Sequence, residues 1–250
     1  MRRIRLLLVL VAVAISCQAR LAKYHNEQCI AHLEKGNLDE AIAECNKAIA
    51  LDPNFADAYN NRGAARSQKG DTDGAIADYD KSIALDPKDA SMAFNNRGSA
   101  RDDKGDLDGA IADCSKAIEL DPNNALAYNC RGFVRQKKGD LDDAITDCTK
   151  AIEIDPNFPM AYSNRGLARQ KKADLDGAIA DCNKALALNP NLGDAYVSRG
   201  LAQLRQGKDQ EAEEDFKKAL QISDKLKPYI EQERAKVKKE RQASGPTRSH

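Results

Sequence analysis

Apolar and polar positions along residues 22–224 follow helical spacing and not the strict alternation of a strand. In one stretch Ala110, Ile111, Cys114, Ala117 and Ile118 fall at i, i+1, i+4, i+7 and i+8, the stripe of an amphipathic helix facing a partner. The stripe recurs with a fixed beat. The Gly that follows Arg appears at 63, 98, 132, 166 and 200, with spacings of 35, 34, 34 and 34, and counting back from Gly63 lands on Cys29. An Ala twelve residues later keeps the same step at 41, 75, 110, 144, 178 and 212. A period in this range marks an array of small structural units, none of which can bury its apolar face alone.

Each unit reads as two helices. The first carries an aromatic four residues before its Gly, as in Tyr59/Gly63, Phe94/Gly98, Tyr128/Gly132, Tyr162/Gly166 and Tyr196/Gly200, so both lie on one face. It stops at Gly36, Gly70, Gly105 or Gly139, each followed by Asp or Asn. Asp39, Asp73, Asp108, Asp142 and Asp176 are expected to cap the second helix. That helix ends at Pro53, Pro87, Pro122 or Pro156, because Pro cannot continue a helix. The predicted divisions are 22–55, 56–90, 91–124, 125–158, 159–192 and 193–224, then a capping helix over 225–242 and a disordered tail over 243–250.

The aromatic–Gly–Ala–Pro pattern at this period resembles the tetratricopeptide repeat, with six copies over about 200 residues and a degenerate first one. The resemblance implies an all-α fold: a right-handed α-solenoid of paired antiparallel helices, whose concave groove, lined by the first helices, binds a protein or peptide partner. Some positions depart from it. His25 and Cys29 replace the aromatic and the Gly of the first copy, Asp209 replaces the Leu before the last second helix, and Asp224 replaces the last Pro. The family's second aromatic is replaced by Arg66, Arg101, Arg135 and Arg169, which questions part of the inner packing.

The first nineteen residues read differently. Arg2, Arg3 and Arg5 precede the apolar run Leu6 to Ile15, followed by Ser16, Cys17 and Ala19: a signal peptide, too short to span a bilayer. Cleavage after Ala19 is preferred; lipidation at Cys17 or an uncleaved anchor are the alternatives, and only these would attach the chain to a membrane. The expected location is exported, periplasmic or secreted. The 250 residues carry 39 basic and 39 acidic side chains, but the repeats hold a net −9 and residues 225–250 a net +5. Zero overall charge argues against nucleic acid as a partner. An acidic array suits cationic or polar segments.

Arg62, Arg97, Arg131, Arg165 and Arg199 each precede an Asp by sixteen residues (Asp78, Asp113, Asp147, Asp181, Asp215). What repeats in every copy suits holding helices together. Groove candidates are instead Asn60, Asn61, Asn95, Asn96, Asn129, Phe133, Gln136, Ser163, Asn164 and Gln170, amides and hydroxyls that can clamp an extended backbone. Asn61 and Asn96 resemble the Asn of the family's carboxylate-clamp members, whose basic partners are missing: Asp57, Met92 and Leu126 stand nearby. Cys45, Cys114, Cys148 and Cys182 share one slot, where a buried small side chain is expected. Cys29–Cys45 and Cys114–Cys130 are candidate disulfides in an oxidising compartment. His25, Cys29, His32 and Cys45 form an alternative metal-ligand set. No catalytic motif is present among three His residues, so neither an enzyme nor a cofactor is expected. The rival to a binding scaffold is an envelope structural protein or lipoprotein whose first repeat is stabilised by a disulfide or a metal.

Overall fold

The computed structural model describes the backbone of residues 2–243 and side chains from Ser16 onward. Within it the fold is all-α, and the chain divides at Pro122 into two units. The first unit holds α1 (Arg2–Glu34), α2 (Leu38–Leu51), α3 (Ala56–Gln68), α4 (Thr72–Leu85), α5 (Ser91–Asp103) and α6 (Leu107–Leu120). The second holds α7 (Ala125–Lys138), α8 (Leu141–Ile154), α9 (Pro159–Lys171), α10 (Leu175–Leu188), α11 (Gly193–Arg205), α12 (Asp209–Ile222) and α13 (Lys227–Ala243). Odd and even helices pair as hairpins, and within each unit the first helix of one hairpin also touches the first helix of the next. That is the architecture of a solenoid. The apolar side chains of the leader and the tail from residue 244 lie outside the described residues. Among the described residues no helix is long and apolar enough to cross a membrane.

Gly36, Gly70, Gly105, Gly139 and Gly207 end the first helices at φ between 73° and 99°, a conformation that disfavours any side chain. The fifth hairpin uses Ala173 at φ 64° instead, a strain of about 1 kcal/mol. The second helices are capped differently from the sequence expectation. Asp71, Asp106 and Asp174 accept from the amides of Gly74, Gly109 and Gly177 at 3.0, 3.0 and 3.1 Å. Asp39, Asp73, Asp142 and Asp176 sit two residues further on, inside the first turn, and reach the next repeat: Lys69, Lys104, Lys172 and Gln206 donate to them. In the three hairpins of Asp71, Asp106 and Asp174 the carboxylate that tops the helix is therefore the one directly after the Gly or Ala of the turn, because its backbone is still outside the helix.

The hairpins close on very small side chains. A Cβ placed on Gly98, Gly132 or Gly166 would meet the sulfur of Cys114, Cys148 or Cys182 at 2.8 to 2.9 Å, and at Gly63 and Gly200 it would strike Tyr79 and Phe216. The first hairpin has Cys at both positions, and Cys29 and Cys45 form a disulfide with Cα atoms 5.4 Å apart. Their joining corrects the metal alternative. A disulfide offers no thiolate, and His25 Nδ1 faces Glu44 at 2.6 Å instead of a ligand set.

The last hairpin is covered by α13. Ile230 and Val237 are buried against Val197, Leu201, Leu204 and Phe216. Asp209, the departure from the pattern, takes Arg241 at 2.5 Å; Arg234 bonds Glu213 and stacks over Phe216 at 5.2 Å. The polar outer side of α13 closes an apolar end.

Because Gly166 and Cys182 occupy the positions that Cys29 and Cys45 join, Gly166→Cys is expected to form a second such disulfide with the free Cys182. Closing a loop of this length should add about 3 kcal/mol. Thiol titration in denaturant and the urea midpoint check it; two titratable thiols at these positions would refute the equivalence.

Candidate functional site

Two sets of polar residues must be told apart. The first is locked inside each hairpin. Arg62 Nε and Nη2 grip Asp78 at 2.9 and 2.6 Å, and Arg66 Nη1 reaches the same carboxylate at 2.8 Å. The pattern repeats with Arg97 and Arg101 on Asp113, Arg131 and Arg135 on Asp147, and Arg165 and Arg169 on Asp181. So the arginines in the second aromatic's place are not gaps in the packing. They supply a second guanidinium to a buried carboxylate, and Arg66 also donates to the carbonyl of Gly74. In the last hairpin, Gln203 with its amide nitrogen turned inward donates to Asp215 at 3.0 Å. The aromatic residue stacks on the first arginine, Tyr59 on Arg62 at 5.3 Å and Phe94 on Arg97 at 5.1 Å, a cation–π contact. Free Nη1 atoms bridge to the preceding hairpin: Arg62 to Asn46, Arg97 to Asp80, Arg165 to Thr149, Arg199 to Asn183. Asp215 holds Arg199 above its ordinary pKa by hydrogen bonding, against the opposing pull of burial.

The second set lies on the first helices, where the groove candidates fall. Several of these amides pair between neighbouring first helices. Asn61 Nδ2 donates to Asn26 at 2.9 Å, Asn96 to Asn60 at 3.0 Å and Asn164 to Asn129 at 2.9 Å. This ladder aligns adjacent first helices, a role that the spacing did not reveal. Cys130 stands in sequence where the donor Asn stands in those copies. Asn95 is buried with its Oδ1 unpartnered, and Gln136 is buried with Nε2 unpartnered; Ser163 and Gln170 are buried too.

In the second unit three of the candidates converge. Phe133 of α7, Ser163 and Asn164 of α9 line a cavity of about 190 Å³ together with Leu167, Asp194, Val197 and Ser198, and Tyr229 of α13 closes it. Asp194 and Tyr229 were not among the groove candidates; Tyr229 could not be, since only the packing of α13 brings it there. Lys137 lies over the Phe133 ring at 5.5 Å. The Tyr229 hydroxyl is held above its usual pKa, first by burial, then by the charges of Glu233 and Asp194, with Arg205 opposing. Asp194 is the one carboxylate among the residues lining this cavity. Nothing here resembles a nucleophile with a base: burial first, then the neighbouring Asp, pushes the thiols of Cys148 and Cys182 up to about 12.

These features define a solenoid of helix hairpins. Models of the TPR repeat match residues 31–70 and 98–139, and models of the tetratricopeptide repeat match 56–89, 125–158, 159–192 and 193–226. The chain belongs to the tetratricopeptide repeat family. No curated protein matches it. Among solved structures, the APC/C hetero-tetramer Cut9–Hcn1 superposes with a TM-score of 0.79 at 21% identity over 86% of this chain. The match spans only 42% of that neighbour's length. MamA is 32% identical, with a TM-score of 0.54 over 67% of this chain and 97% of its own. YrrB, described as a TPR protein with an unusual peptide-binding site, is 22% identical with a TM-score of 0.55, covering 78% and 97%.

Replacing Asp181 by Asn leaves Arg165 and Arg169 facing each other with half their acceptors. The expected loss is about 2–4 kcal/mol in urea denaturation, tempered by the partial exposure of both arginines. A loss below about 0.5 kcal/mol would place this buried triad among ordinary surface pairs.

Proposed function

We propose that the chain is a non-catalytic scaffold that holds a protein or peptide partner on the outward face of its first helices. The observation that carries this is the cavity in the second unit, where Phe133, Ser163 and Asn164, chosen as groove residues, meet around about 190 Å³ of space. Asn164 spends its amide nitrogen on Asn129 and keeps its carbonyl oxygen for a ligand N–H. Asn60, Asn61 and Asn96, partly exposed, extend a polar face within the first unit, while Asn95, Gln136 and Gln170 are buried. The thiols of Cys148 and Cys182 are buried and held well above their ordinary pKa, which keeps them from serving as thiolate nucleophiles. Membership of a family that includes a peptide-binding neighbour supports it further. A photo-crosslinking residue at Phe133 should capture a partner in the native envelope, and the same residue at exposed Lys150 should not. Equal capture from both positions, or none, counts against the groove.

We also propose export to an oxidising compartment. The Cys29–Cys45 disulfide supports it, since such bonds are rare where thiols are kept reduced. The bond equally favours the rival reading's disulfide-stabilised first repeat in an envelope protein. Alkylation of the denatured chain from its native source should leave Cys29 and Cys45 unlabelled, whereas labelling of both would put it in a reducing compartment.

A further inference from the structure

The positions three residues before Asn129, Ser163 and Val197 differ between copies. They are Leu126, Met160 and Asp194. The first two are exposed apolar side chains at 46% and 45%. Asp194, at the equivalent place on α11, lines the cavity, so the three share one face of the second unit. Its carboxylate has no ion pair or side-chain hydrogen bond among the described residues. Besides Asp194, the charges that act on the neighbouring Tyr229 are Glu233, which is paired with Lys236, and Arg205, which is bonded to Glu240 at 3.2 Å; Lys137 lies over Phe133, another residue of the cavity lining.

Successive first helices in contact lie about 8–10 Å apart. An extended segment rises about 3.3 Å per residue, so it advances one helix for about every three residues. A segment crossing α7, α9 and α11 therefore meets Leu126, then Met160, then Asp194, at three-residue intervals. We infer that this face selects an extended segment with two apolar residues three apart and a Lys or Arg three further on, the cation seated by Asp194 beside Tyr229. The apolar pair covers Leu126 and Met160, and the charge complements both the Asp194 end of the cavity and the net acidity of the repeats. This deepens the scaffold reading and rests on it.

The test uses the full chain and labelled heptapeptides of pattern Leu-Ser-Ser-Leu-Ser-Ser-X in low salt, read by fluorescence anisotropy. With X as Lys, binding should be about tenfold tighter than with X as Glu, and the gap should shrink at high salt. Asp194→Asn, checked by circular dichroism for an unchanged helix content, should cut the gap below about threefold, and Asp194→Glu should keep most of it. Leu126→Ser with Met160→Ser should weaken both peptides alike. Equal binding of the two peptides, or an undiminished gap in Asp194→Asn, overturns the cation subsite while the groove stands. No binding of either peptide at millimolar concentration overturns the subsite and weighs against the groove as well.

Discussion

A buried carboxylate shared by two arginines of the facing helix is the contact on which every full hairpin depends. Asp78, Asp113, Asp147 and Asp181 are no more than 4% exposed, and a lone charge there would be untenable. The second guanidinium is balanced by a further carboxylate, Asp71, Asp106, Asp143 or Asp174 at 3.5–3.9 Å, and both arginines stay partly exposed, at 14–29%, with the first stacked on the aromatic ring. The geometry is also demanding. Bidentate pairing fixes the rotation of the first helix against the second, while Gly against Cys fixes their separation. Polar pairing contributes orientation more than stability, since a well-packed apolar replacement can equal a buried ion pair. With few aromatics and small residues at the contacts, orientation is what this sequence lacks from shape alone.

The end hairpins show what happens when this lock is altered. The first has Gln28 and Glu44 in place of the Arg and the Asp, and it carries a covalent bond where the others carry a Gly contact. The last keeps Arg199 and Asp215 but has Gln203 for the second arginine, and there α13 adds Arg234, Arg241 and two buried aliphatic residues. Each terminal hairpin has a neighbour on one side only, so each recovers the missing packing by another route.

Most of the fold was legible because its signals are periodic: the Gly and Ala positions, the Asp-Pro breaks and the Arg–Asp spacing of sixteen all correspond to real contacts. Boundary chemistry was less legible. Asp39 and its equivalents read as caps, because an Asp near a helix start satisfies that expectation, yet the Asp of the turn reaches the amide first and frees them for the next repeat's Lys. Arg66 read as a lost aromatic because a pairwise pattern hides a three-body cluster. The groove was half legible. Asn60 and Asn129 were found, but their use as acceptors in an inter-helix ladder depends on which rotamers face a neighbour, and spacing is silent on that.

The same periodicity limits where selectivity can reside. A residue bound into the Arg–Asp lock, the Gly contact or the Asn ladder cannot change without loosening its hairpin, so those positions stay alike and give every repeat the same chemistry. Variation is tolerated one turn earlier, at Asp57, Met92, Leu126, Met160 and Asp194, in the first turns of the first helices and outside every lock. Exposed side chains there alter what the face presents at little structural cost. Depth is added where α13 brings Tyr229 over that face, turning one stretch of surface into a cavity with Asp194 in its lining. The helix that shields the apolar end of the array thus also shapes a cavity beside the first helices.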